Sequence, residues 1–77
     1  MATYWVVATS YQGYSTLFDE KCEEIVGKAR SGSGLGMGWR DLDWTFDSEA
    51  EANEASEQLS RRGIQSTISS YDTEKDQ

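Results

Sequence analysis

Residues 39–46 read Trp39-Arg40-Asp41-Leu42-Asp43-Trp44-Thr45-Phe46, with the apolar Leu42, Trp44 and Phe46 alternating with Asp41, Asp43 and Thr45. A period of two is that of a β-strand, whose successive side chains point to opposite faces of the sheet. The octet predicts a strand with one dry face and one wet face. Trp39, Asp41, Asp43 and Thr45 share the wet face, and Arg40 points the other way. A sheet that is dry on one side needs a second layer there, and the rest of the chain must supply it.

Upstream, Thr3 to Thr9 (TYWVVAT) is β-branched and aromatic and is followed by the turn-prone Ser10, Gln12 and Gly13, which predicts a central strand. From Leu17 to Arg30, Phe18, Cys22, Ile25, Val26 and Ala29 recur at spacings of three and four and so share one helical stripe. Ser15 or Thr16 can cap its start, with Asp19 and Glu20 in the first turn and Lys28 and Arg30 in the last to complement the helix dipole. Ser31 to Gly38 (SGSGLGMG) ends that helix and leaves room for a short fourth strand around Leu35 and Met37.

Downstream, Ser48 and Glu51 match a capping box that opens a second helix through Arg62, with Ala52, Ala55 and Leu59 inward and Gly63 as the stop. Ile64 to Tyr71 reads as a last strand, Ile64 and Ile68 on one face and Gln65, Thr67, Ser69 and Tyr71 on the other. The expectation is one globular domain over 1–71 and a disordered acidic tail over 72–77. The predicted core is Ile25, Val26, Leu42, Trp44, Phe46, Leu59 and Ile68.

This β-α-β-α-β order resembles a ferredoxin-like α+β fold, a two-layer α/β sandwich with its second strand shortened or missing. The resemblance covers nearly the whole chain and rests on element order. It implies an antiparallel sheet with the first strand central, both helices on one face, and an open face carrying Trp39, Asp41, Asp43, Thr45, Thr67, Ser69 and Tyr71. Fold alone does not name a function.

The 77 residues hold 14 acidic and 7 basic side chains and no His, for a net charge of −7. A second, cofactor-binding domain has no room, and nucleic acid or an anionic membrane is disfavoured as a direct ligand. A charge of magnitude about 2 to 8 is ordinary for a soluble small domain, so acidity alone assigns no role. A single Cys permits no intrachain disulfide, the first residues lack a basic, apolar leader, and a cytoplasmic setting is expected.

No catalytic constellation emerges, and the chain is read as a non-enzyme without cofactor or metal. Asp41, Asp43 and Thr45 match the D-x-D-x-T pattern of aspartate-nucleophile phosphatases, but those enzymes need a larger parallel sheet and further Lys and Asp residues. Carboxylates two apart on a strand stand about 6.6 Å apart, within the range of an inverting glycosidase pair, yet nothing supplies the cleft that would raise one pKa. Asp41, Asp43 and Asp47 offer too few oxygens for a hard cation, and without His a zinc site has no ligands. Gly32, Gly34, Gly36 and Gly38 do not spell a phosphate-binding loop. Cys22 lies on the apolar stripe with no His to activate it. Trp39 and Tyr71, with Trp5 if it faces outward, could stack bases, but Asp41 and Asp43 beside them would repel the phosphates.

The acids themselves remain. Glu20, Glu23 and Glu24 lie opposite the apolar stripe of the first helix, and Asp41, Asp43 and Asp47 form a row along a strand edge, the first two about 6.6 Å apart and the third about 13 Å further on, with the first interval similar to the phosphate spacing that a cationic groove accepts. In size, charge and α/β build the chain is similar to the small acidic anti-CRISPR inhibitors of phages and mobile elements. That resemblance implies non-catalytic binding, as a DNA mimic, to a basic nucleic-acid-binding protein such as a CRISPR effector complex, blocking DNA binding or nuclease recruitment. The partner-binding residues expected on this reading are Trp39, Asp41, Asp43, Asp47, Tyr71, Glu20, Glu23 and Glu24. The alternative is a bacterial interaction or regulatory module, homodimeric through its open sheet face.

Overall fold

The computed structural model describes residues 3–72. Six elements follow in order: β1 (Thr3–Gln12), α1 (Thr16–Val26), β2 (Gly32–Gly36), β3 (Trp39–Phe46), α2 (Glu49–Arg61) and β4 (Thr67–Asp72). The strands form one antiparallel sheet in the order β2-β3-β1-β4, with both helices over one face. This is the ferredoxin-like arrangement, and the second strand is present, cut to five residues.

Register decides which side chains share a face. Trp5, Val7, Thr9 and Tyr11 of β1 stand opposite Phe46, Trp44, Leu42 and Arg40 of β3, and this set faces the helices. Val7, Leu42 and Trp44 are fully buried there with Cys22 of α1 and Ala52 and Leu59 of α2, while Phe46 and Ala55 are nearly so. Alanines on α2 let its axis approach the sheet, where the indole of Trp44 fills the space between layers. Its Nε1 donates to the Lys28 carbonyl at 2.8 Å, as a buried indole N–H must find an acceptor. Trp5 also packs against this core rather than facing outward.

Four expectations are corrected. Helix α1 stops at Val26, because Gly27 takes a left-handed φ of 82° and its N–H closes on the Glu23 carbonyl at 2.8 Å. Lys28, Ala29 and Arg30 therefore lie outside the helix: Ala29 is exposed, Lys28 Nζ donates to the Thr45 carbonyl and sits over the Phe46 ring, and Arg30 pairs with Glu23. Strand β1 runs on through Ser10–Gln12, whose turn-prone composition yields to pairing with Trp39–Asp41. Strand β4 begins at Thr67, and Ile68, although opposite Val7, sits on an edge strand and is exposed rather than part of the core. Asp72 belongs to β4 and accepts from the Thr3 hydroxyl at 2.8 Å; the rest of the expected tail lies outside the described residues.

The helix caps match the sequence. The Ser15 hydroxyl accepts from the Phe18 N–H, and the Ser48 hydroxyl accepts from the Glu51 N–H. No helix among the described residues is long and apolar enough to cross a membrane.

Candidate functional site: the open face of the sheet

The face away from the helices carries Tyr4, Val6, Ala8, Ser10 and Gln12 from β1, Trp39, Asp41, Asp43 and Thr45 from β3, and Thr67, Ser69 and Tyr71 from β4. On β2 the corresponding positions are Gly32, Gly34 and Gly36, opposite Asp43, Asp41 and Trp39. The two carboxylates thus stand between glycines on one side and Ala8 and Ser10 on the other. A Cβ on Gly32 would come within 3.1 Å of the Asp43 carboxylate oxygens, and one on Gly34 within 3.8 Å of Asp41 Oδ2. Both carboxylates therefore lean over the backbone of β2, and no tall side chain screens them. Among the described residues no cation pairs with either.

β3 is an interior strand, so Asp41 and Asp43 do not form the expected row along a sheet edge. Asp47 falls one residue past the end of β3, exposed in the turn before α2. Trp39 and Tyr71 also sit apart. Trp39 pairs across to Gln12 and Tyr71 to Tyr4, eight residues earlier on β1, a separation of about 27 Å along the strand. Tyr71 stacks on Tyr4, ring centroids 5.5 Å apart at 24°. The sheet thus brings Trp39, Asp41 and Asp43 together in one line and leaves Tyr71 at the opposite corner.

The expected acids of α1 divide as well. Glu20 and Glu24 are exposed on the helix layer, on the other side of the molecule from Asp41 and Asp43. Glu23 is half-buried and already occupied: its Oε2 accepts from the Arg30 backbone N–H at 3.0 Å and from Arg30 Nη1 at 2.9 Å. It holds the α1–β2 connection in place and is not a free contact.

The charge that the sequence reading missed is the buried one. Arg40 Nε and Nη2 both donate to Asp19 Oδ2, at 3.1 and 2.8 Å, tying β3 to α1 inside the molecule. The Tyr11 hydroxyl donates to Asp19 Oδ1 at 2.6 Å, and the Tyr14 ring covers the guanidinium at 4.8 Å. Burial pushes the Asp19 carboxyl up, but the Arg40 and Tyr11 hydrogen bonds and the guanidinium charge outweigh it and the net displacement is downward. The Tyr11 phenol is displaced upward, first by burial and then by its bond to Asp19. The signal was present: Arg40 shares the inward phase of Leu42 and Trp44, and a cation on an apolar face requires a buried acid. Cys22 lies fully buried as expected, and burial, aided by Asp19 and Glu23, pushes its thiol up, away from the thiolate that nucleophilic chemistry uses.

Strand β4 reaches only as far as Ala8 along β1. An open depression of about 810 Å³ begins there, running from Trp39, Asp41 and Asp43 past Ser10 to Gln65, Ser66 and Ser56. Its lining mixes hydroxyls, the Gln65 amide and the two carboxylates with the apolar Ala8, Leu42 and Trp39. No cluster of three metal-ligating side chains occurs among the described residues. Searches against family models and against curated proteins match nothing.

Proposed function

We propose that the chain is a non-catalytic binding protein whose open sheet face receives a cationic protein, in the manner of an anti-CRISPR-type inhibitor directed at a nucleic-acid-binding effector. The observation that carries the reading is the pair Asp41 and Asp43: interior-strand carboxylates, uncompensated by any described cation, with only glycine, alanine and serine as neighbours across the sheet. A Lys or Arg side chain can reach them without displacing anything, and Trp39 in the same line offers an aromatic face to the same cation. The inhibitor identity rests on the resemblance in size, charge and build. A homodimer through this face, the second reading, would set the carboxylates of two copies against each other and needs a counter-charge to hold.

Charge reversal at two places tests the proposal. Asp41→Lys with Asp43→Lys alters the open face, and Glu20→Lys with Glu24→Lys alters α1; each pair moves the net charge from −7 to −3. For a basic host protein retained by the immobilised chain at about 0.05 M salt, the sheet pair should lose about 2 to 5 kcal/mol, chiefly through faster dissociation. The helix pair should lose only the part due to general steering. Equal, small losses from both pairs, with retention unchanged at about 0.5 M salt, would refute the assignment.

A further inference from the structure

We infer that the partner is bound by strand addition: an extended segment with basic side chains at alternate positions pairs with the free edge of β2, its cations reaching across the glycines to Asp41 and Asp43. The inference rests on the proposed cationic partner and specifies how that partner is held.

Strand β2 is a terminal strand of the sheet, with β3 on one flank and no strand on the other among the described residues. A row of backbone N–H and C=O groups on such an edge is a template for another strand, and proteins usually guard it with charge, proline or a bulge. Ser31 to Gly38 contains no charge and no proline. Apolar surface stands out at the same place. Leu35 is 58% exposed, Met37 at the tip of the β2–β3 hairpin is 99% exposed, and Trp39 is 48% exposed. This end is firmly held: the Gly13 N–H donates to the Gly38 carbonyl at 2.7 Å, and the Asp19–Arg40 pair fixes β3 to α1 just behind it.

Charge complementarity fixes the chemistry of the occupant. Strand neighbours lie about 4.8 Å apart, so a strand added beside β2 places its open-face side chains about 9.6 Å from those of β3. Between them, at every register position from Gly32 to Gly36 on that face, β2 has no side chain. An extended Lys or Arg spans that gap. Asp41 and Asp43 are two residues apart, so the matching cations are also two apart, and a third would come level with Trp39. On the other face of the added strand, the intervening residues would lie beside Ser33 and the exposed Leu35, which favours small apolar or β-branched ones. The occupant is an Arg-x-Arg or Lys-x-Lys segment in extended form with Val-like residues between. A second copy of this chain carries no such pattern at either edge strand, which read SGSGLGMG and TISSYD.

The test uses the full chain and two synthetic peptides of one composition, Thr-Arg-Val-Arg-Val-Arg-Thr and its isomer Thr-Val-Arg-Arg-Arg-Val-Thr. Calorimetric titration should give the alternating peptide about tenfold tighter binding than the isomer, with new amide-exchange protection confined to β2. The Gly34→Val variant places a branched side chain between the edge and Asp41, at a position where φ is ordinary and a Cβ makes only van der Waals contact. It should keep a cooperative melt and lose about tenfold in affinity for the alternating peptide. Equal affinities of the two isomers, or full affinity in Gly34→Val, would overturn strand addition. If that shared affinity is weakened by salt and by Asp41→Lys with Asp43→Lys, the cationic partner stands and only its mode of binding falls. Failure of both peptides to bind at about 0.05 M salt overturns strand addition, and the charge-reversal experiment then judges the partner by itself.

Discussion

The two faces of this sheet are built from the same strands, residue by alternate residue, and treat charge in opposite ways. On the helix side Arg40 is answered by Asp19, Asp19 by Tyr11, and no described side-chain polar atom is buried without a partner. On the open side, one residue further along the same strand, Asp41 has glycine and serine for neighbours and no cation among the described residues. A charge in a low-dielectric layer must be paired for the chain to fold, whereas a solvated carboxylate can remain unpaired at little cost. The unpaired charges are therefore where a partner can contribute, and the paired ones are where it cannot.

The largest effect is expected from removing the residue that fills the helix side. Trp44→Ala should destabilise by about 3 to 5 kcal/mol, because it opens a large cavity and strands the Lys28 carbonyl. Unfolding is the expected result in a domain this small, and a cooperative melt within a few degrees of wild type would remove Trp44 from the core.

Asp19→Ala ranks next. It leaves the Arg40 guanidinium beneath the Tyr14 ring without its carboxylate and takes an acceptor from the Tyr11 hydroxyl, for an expected fall in melting temperature smaller than that of Trp44→Ala. The pH dependence follows from the downward displacement of the Asp19 carboxyl. A depressed acid contributes stability above its unfolded value near 3.9 and loses it as pH falls through the lower folded value. The gap in melting temperature between wild type and Asp19→Asn should be constant from about pH 7 to 5 and narrow below about pH 4. A gap that persists unchanged into stronger acid would mean that the ionisation of Asp19 is not the source of the difference.

The smallest effect lies on the hairpin joining β2 to β3. Met37 and Gly38 form a two-residue connection with φ of 56° and 82°, the left-handed pair of a type I′ turn. Asparagine is better suited than methionine to the first of these positions, so Met37→Asn should stabilise by up to about 1 kcal/mol in chemical denaturation. If Met37 is also an anchor for a strand laid on β2, the same variant should bind the alternating-arginine peptide more weakly while melting higher. A stability gain with unchanged peptide affinity would confine the contact to the glycine side of β2.

What the sequence determined by itself was the alternation. Period two at Leu42, Trp44 and Phe46 and the three-and-four spacing around Cys22 and Leu59 are local properties, and they named the layers, the helix caps and most of the inward set; Ile68 is exposed and Ile25 and Val26 are only half-buried. The alternating glycines at 32, 34 and 36 carry the same period and already describe a strand with one face bare, a signal that was open to reading. Tertiary structure decided the rest because register and strand order are relations between distant segments. Only the order β2-β3-β1-β4 puts Asp41 and Asp43 inside the sheet rather than at its edge, and only the pairing of Trp39 with Gln12 and Tyr71 with Tyr4 parts the two aromatics. Gly27 ends α1 early with a left-handed turn, which leaves Arg30 to pair locally with Glu23 and Lys28 to reach Thr45 and Phe46, and the Lys28 contacts do not exist until the sheet has formed. Asp19 looked like a helix-dipole residue until α1 docked on Arg40; a buried ion pair is specified by the meeting of two elements, and neither element encodes it alone.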